Sequence, residues 1–152
     1  MSEPHRILII DDDEDYAEAV KMILETHGYA VETVDRPEIG LQRALEARPD
    51  LIVLDGIDAF VDGGPMNGKR AKGNVFLAST DRVAIDAVGL AILQSLGSND
   101  QIMNTKIFKQ EQIARAAEIG LGATSPAEIN VVAASKESRQ YRDRVVELLN
   151  AG

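Results

Sequence analysis

The chain has 152 residues, of which 45% are hydrophobic and 27% charged, the composition of one folded globular domain. Its 25 acidic and 16 basic side chains give a formal net charge of -9, which disfavours binding to nucleic-acid phosphates. The absence of cysteine excludes disulfides, thiolate metal sites and a cysteine nucleophile. Only four consecutive apolar residues precede the first acidic cluster, so we expect no signal peptide, no membrane span and a cytoplasmic location.

The first third of the chain predicts alternating strands and helices. Three short aliphatic runs, at Ile7–Ile10, Ala30–Val34 and Leu51–Leu54, are typical of strands in a parallel sheet. Apolar residues at helical spacing lie between the first two runs, up to Gly28, and a second helix is predicted around residues 37–45. This β-α-β-α-β order with short connections indicates a doubly wound α/β fold.

The regular pattern ends after Asp55, because residues 56–73 contain five glycines and no helical period. We expect a loop there, followed by a strand at Asn74–Ser79 and an apolar helix at Asp81–Leu96. The later elements predicted are a helix at 105–119, a last strand at 129–133 and a final helix with an apolar stripe of Tyr141, Val145, Leu148 and Leu149.

These elements predict one three-layer α/β domain over residues 1–152, flavodoxin-like, with a mostly parallel five-stranded sheet in the order 2-1-3-4-5. The glycine-rich segment also permits an antiparallel return of the fourth strand. In that case Ser79 would lie at the wrong edge of the sheet from Asp55.

Acidic residues follow the first and third predicted strands. If these strands are neighbours, Asp11, Asp12 and Asp55 converge at the carboxyl edge of the sheet. Three adjacent carboxylates repel one another unless a pKa rises or a hard cation binds. We therefore predict a Mg²⁺ site formed by these three residues.

The segment from Arg6 to Asp55 resembles the receiver domain of bacterial response regulators, through RILIIDDDED and PDLIVLD. The resemblance implies that Asp11 and Asp12 bind the metal and that Asp55 accepts a phosphoryl group from a histidine kinase. It further implies a hydroxyl and a lysine that contact the phosphoryl group, for which Ser79 (or Thr80) and Lys136 are the candidates.

GGPMNGKR, at residues 63–70, matches most of a phosphate-binding loop, but Arg70 replaces the expected Ser or Thr. The segment also leads into a predicted strand, whereas a phosphate-binding loop leads into a helix. A turn between strands is the favoured interpretation, with small-ligand or anion binding at this loop as an alternative.

From about Pro49 to the end, the chain resembles a second family, the domain of unknown function numbered 362. DGIDAFVDGGPMNG, LASTDRVAIDAVGLAIL and SPAEINVV carry this resemblance. Its acidic residues with possible chemistry are Asp55, Asp58, Asp81 and Asp86, of which the last two are expected to cap or cross-link a helix.

Two resemblances that meet inside a predicted strand suggest a recombination of α/β fragments. We interpret the chain as an engineered chimera of a receiver-like fragment (residues 1–50) and a second fragment (residues 51–152). Such a chimera would not be an enzyme and would have no evolved activity, but would keep the acidic Mg²⁺ pocket. The alternatives are a phosphoacceptor modified on Asp55 and a binding site at the glycine-rich loop. Pairing of the edge strand Ala30–Val34 would allow a homodimer.

Overall fold

The computed structural model describes residues 4–10, 14–35, 39, 43, 50–63 and 67–151. These residues belong to two compact units. The first comprises residues up to 53 together with 78–80, and the second comprises residues 54–77 and those from 81 onwards. No helix in the described ranges is long and apolar enough to cross a membrane.

The first unit opens with a parallel β-α-β arrangement. Strand β1 spans Arg6–Ile10, helix α1 spans Glu14–Thr26 and strand β2 spans Ala30–Val34. The two strands pair in parallel from Arg6 opposite Ala30 to Ile10 opposite Val34. Gly28 follows the helix with φ 86°, the left-handed conformation in which helices commonly end. These elements agree with the sequence prediction.

The chain returns beside β1 at residues 50 and 51. Leu51 forms a single parallel bridge with Ile7, and the Asp50 backbone N–H donates to the Arg6 carbonyl oxygen at 3.2 Å. The Arg6 N–H in turn donates to Asp50 Oδ2 at 3.0 Å. Among the described residues, the parallel pairing of this segment with β1 is limited to this bridge. The helix predicted around residues 37–45 lies outside the described residues, apart from positions 39 and 43.

The prediction of a five-stranded, mostly parallel sheet was wrong. Strand β3 spans Ile52–Gly63 and pairs antiparallel with strand β4, Gly68–Ser79. The described residues therefore form two sheets of two strands each. The predicted last strand, residues 129–133, follows a 3-10 turn at Pro126–Glu128 and joins neither described sheet.

Two glycines explain why the segment expected to be a loop forms a hairpin. Gly56 and Gly73 are buried and face each other across β3 and β4. A Cβ atom at Gly73 would overlap the Gly56 carbonyl oxygen, and a Cβ at Gly56 would lie 2.9 Å from Val75 Cγ1. The absence of side chains at these two glycines therefore allows the backbones of β3 and β4 to approach each other closely. Glycine inside a strand often has this role, rather than marking a loop.

The second unit is mainly helical. Helix α2 spans Arg82–Leu96, between the N-cap Asp81 and Gly97 with φ 76°, as the sequence predicts. The helix predicted at 105–119 is instead divided into a 3-10 turn, Ile107–Lys109, and α4, Glu111–Glu118. A short helix α3 (Asp100–Met103) precedes them, and α5 spans Arg139–Asn150.

A buried glutamine causes the break before α4. Gln110 has an extended backbone (φ −59°, ψ 131°), and its side-chain amide lies 3.4 Å from the carbonyl oxygens of Gln101, Ile102 and Thr105. The core beside it is aliphatic and contains Val83, Ala87, Val88, Ala91, Ile92, Ile107, Ile113, Val145 and Leu149. The apolar stripe predicted for the final helix is confirmed: Val145 and Leu149 are buried in this core, and Tyr141 and Leu148 are partly buried and pack against it.

Candidate functional site

A cleft of about 280 Å³ lies in the second unit, between the hairpin and helices α2 and α4. Most of its wall is apolar, and its ionisable lining residues are all acidic: Asp55 and Asp58 from β3 and Asp86 from α2. The apolar wall includes Leu54, Val75, Leu90, Leu93 and Ile113. The volume lies just below the range of about 300–1,000 Å³ that is usual for small-molecule sites.

Helix α2 forms one side of the cleft through residues that share a helical face. Asp86, Gly89, Leu90 and Leu93 follow one another at spacings of three and four residues. Gly89 lies in the middle of this row. A Cβ atom added there would lie 3.6 Å from Leu54 Cδ1, which is an ordinary van der Waals contact. The missing side chain therefore contributes to the depth of the cleft.

Asp55 does not end its strand, as the sequence had predicted, but is the fourth residue of β3. It is exposed, whereas Gly56 beside it is buried. Asp55 Oδ1 accepts the backbone N–H of Ile57 at 2.8 Å. Among the described residues, Oδ2 has no hydrogen-bond partner.

Asp86 differs electrostatically from the other cleft acids. Its side chain keeps contact with solvent, yet desolvation by the apolar wall raises the pKa of its carboxyl group. No described residue provides it with a hydrogen bond or an ion pair. Asp58, in contrast, forms an ion pair with Lys72, with Lys72 Nζ 2.7 Å from Asp58 Oδ2.

The predicted metal site is not tested by the described residues, because Asp11 and Asp12 lie outside them. In the part of the chain that is described, no three His, Asp or Glu residues form a group that could hold a metal. An acidic recess of about 560 Å³ in the first unit is lined by Glu14, Asp15, Glu18 and Asp35, among others. This recess lies at the carboxyl end of β2 and the start of α1.

Ser79 and Lys136 do not lie at the carboxyl ends of parallel strands, where the sequence predicted them. Ser79 is the last residue of β4, and β4 runs antiparallel to β3, so its carboxyl end lies at the beginning of β3. Lys136 is exposed in the turn before α5 and does not line the cleft. Their predicted roles as phosphoryl contacts stay predictions.

The glycine-rich turn cannot be evaluated as an anion site, because residues 64–66 lie outside the described ranges. The residues that follow belong to a strand, which fits the interpretation that this is not a nucleotide-binding loop. Arg70 lies over the Phe60 ring, 4.6 Å from its centroid, in a cation–π contact across the hairpin.

Sequence reasoning named Asp55, Asp58 and Asp86 but did not bring them to one cleft. In the structure, exposure alternates from residue 72 to 79: Lys72, Asn74, Phe76 and Ala78 are exposed and the residues between them are not. This alternation is typical of a half-buried strand in an antiparallel hairpin, but the sequence does not show it, because residues 75–78 are all apolar.

The chain is similar in sequence to one protein family of unknown function and to response regulators. The family model described as Domain of unknown function (DUF362) matches residues 6–91, more than half of the chain. The chain belongs to this family. The match begins within β1, so a family boundary near residue 49 is not confirmed, and the chimera stays a prediction.

The chain is also similar to response regulators. Response regulator MprA from Mycobacterium sp. (strain KMS), like that from strain JLS, is 30% identical over 130 residues, covering 82% of this chain and 54% of the relative. Transcriptional regulatory protein AfsQ1 from Streptomyces coelicolor is 43% identical over 58 residues, covering 36% and 26%. The chain thus spans about half the length of the MprA relatives, and its relationship to them is receiver-like. No solved structure matches it.

Proposed function

We propose that this chain is a receiver-like phosphoacceptor module that takes a phosphoryl group on Asp55. The geometry of Asp55 carries the proposal. Its carboxylate is exposed at the edge of a cleft, and Oδ2 has no hydrogen-bond partner among the described residues. The similarity to response regulators and the parallel β-α-β opening of the chain support it.

In the proposed step, Asp55 Oδ2 attacks the phosphorus of a phosphohistidine or of acetyl phosphate. A new oxygen–phosphorus bond forms while the bond from phosphorus to the imidazole nitrogen, or to the acetate oxygen, breaks. The product is an acyl phosphate on Asp55. The Ile57 N–H, which is already bonded to Oδ1, holds the carboxylate in one orientation.

A divalent cation is the remaining element implied by the receiver resemblance. The described residues contain no three-ligand group, so we assign the ion no step. Asp11, Asp12 and Asp55 remain the ligands that we propose for Mg²⁺, and a histidine kinase remains the proposed partner. Self-pairing through β2 remains the proposed route to a homodimer.

Incubation with acetyl phosphate, with and without Mg²⁺, followed by intact-protein mass spectrometry tests the proposal. We expect the mass of one phosphoryl group to be added to the parent chain and not to the Asp55→Asn variant. Asp62→Asn is the matched control, because Asp62 is an exposed acid on the same strand. Labelling that persists in Asp55→Asn would contradict the assignment. Absence of labelling in all three proteins would favour a chain without evolved activity.

A further inference from the structure

The cleft contains a second feature that phosphorylation does not use. Asp86 carries a carboxylate on an otherwise apolar helix face, and no described residue neutralises or hydrogen-bonds it. Asp86 is an exposed residue, but the apolar side chains beside its carboxylate remove part of its hydration and supply no partner in exchange. A ligand that supplies the missing positive charge would remove this cost.

The shape of the cleft limits what that ligand can be. Beyond Asp86, the row formed by Gly89, Leu90 and Leu93 faces Leu54 and Ile113 and offers apolar contact. The absence of a side chain at Gly89 leaves room for a short hydrocarbon chain next to the carboxylate. The only basic side chain in contact with a lining acid, within the described ranges, is Lys72, and it is bound to Asp58.

We propose that this cleft binds a small primary amine, with its ammonium group on Asp86 and its apolar chain over Gly89. The ligand class follows from charge complementarity and from the apolar wall. The volume of about 280 Å³ is of the size that a free small amine fills. The anchor is Asp86 rather than Asp55, so the proposal does not require Asp55 to be phosphorylated.

Hexylamine is the probe for this proposal, with binding followed by amide chemical shifts of the full chain. Hexylamine should shift the resonances of residues 86–93. The alcohol 1-hexanol has the same apolar chain without the charge, and its affinity should be at least roughly tenfold lower. Equal binding of amine and alcohol would overturn the proposal, because it would show an apolar cavity without charge recognition.

Two variants examine the two halves of the site. Asp86→Asn should lower the affinity for hexylamine by roughly tenfold, since it removes the charge with little change of shape. Gly89→Met should abolish binding, because its side chain fills the cleft while Asp86 is retained, and unchanged binding in this variant would overturn the placement of the apolar chain over Gly89. Chemical-shift dispersion of each variant confirms that it is folded.

The matched control is Asp100→Asn, which removes the same charge from an exposed position in α3, outside the cleft. This variant should bind hexylamine like the parent chain. An equal loss of affinity in Asp86→Asn and Asp100→Asn would overturn the proposal, as it would indicate general attraction to an acidic protein. Tighter binding of a blocked lysine than of hexylamine would overturn the assignment to a free small amine.

Discussion

The Asp81 carboxylate joins the start of α2 to Ala123, which lies 42 residues further along the chain. Oδ1 accepts the Ala84 N–H at 2.8 Å as a helix N-cap, and Oδ2 accepts the Ala123 N–H at 2.9 Å. One side chain therefore satisfies two backbone donors in different segments. The role expected from the sequence, to cap or cross-link a helix, is confirmed for Asp81, whereas Asp86 makes no such contact with a described residue.

Replacing Asp81 by Ala should destabilise the chain by roughly 2–4 kcal/mol, because a helix cap and a second charge-assisted hydrogen bond are lost. Asp81→Asn keeps one carbonyl oxygen and should cost about half as much. Urea unfolding measures both, with Asp100→Ala as a control at an exposed acid. Unchanged stability in Asp81→Asn would contradict the two-donor role, because it would show that one oxygen is enough.

The sequence predicted β1, α1, β2 and the ends of α2 well because those elements depend on local patterns. The aliphatic runs of β1 and β2, the cap at Asp81 and the left-handed Gly97 are all signals within a few neighbouring residues. The sheet order failed because strand pairing depends on distant partners. Asp50 and Leu51 do return beside β1, but β3 then continues past Asp55 and pairs with β4 instead.

The candidate site was predicted only in part, for a related reason. The acidic residues of the cleft were identified individually, but their common location depends on the hairpin. The sequence did not predict this hairpin, because its glycines indicated a loop. Glycine occurs both in loops and where two backbones approach closely, and the sequence of one chain does not distinguish these uses. Only the partner strand shows that Gly73 belongs to the second class.

Gly73→Ala should therefore destabilise the hairpin. Its Cβ would overlap the Gly56 carbonyl oxygen, which belongs to the backbone and cannot rotate away. We expect a loss of roughly 1–3 kcal/mol, the usual cost of overpacking. Thermal unfolding provides the measurement, and an unchanged midpoint would contradict the close approach of β3 and β4.

Gly89→Ala, the same chemical change in helix α2, should have the opposite effect. Its Cβ would lie 3.6 Å from Leu54 Cδ1, an ordinary van der Waals contact. Because glycine is unfavourable inside a helix, alanine should stabilise the chain by about 0.5–1 kcal/mol. The same unfolding experiment compares the two variants directly. A destabilised Gly89→Ala variant would show that the helix has less free space beside Leu54.

Asp86 should make stability depend on pH in a direction opposite to that of most acids in folded proteins. Burial raises the pKa of its carboxyl group above the ordinary value of 3.8, so the folded chain holds this proton more tightly than the unfolded chain. Its contribution to stability is thus fully present below pH 3.8 and is lost as the pH rises through the raised pKa. The other charged groups at the cleft are Asp55, Asp58 and Lys72.

Asp86→Asn should remove this contribution, because asparagine does not titrate. The variant should be more stable than the parent chain at neutral pH, and the difference should shrink as the pH falls through the raised pKa. Urea unfolding of both proteins across this range measures the difference, with Asp100→Asn as the control for loss of one negative charge. A constant difference at all pH values would show that Asp86 titrates alike in the folded and unfolded chains, and would refute the effect of burial.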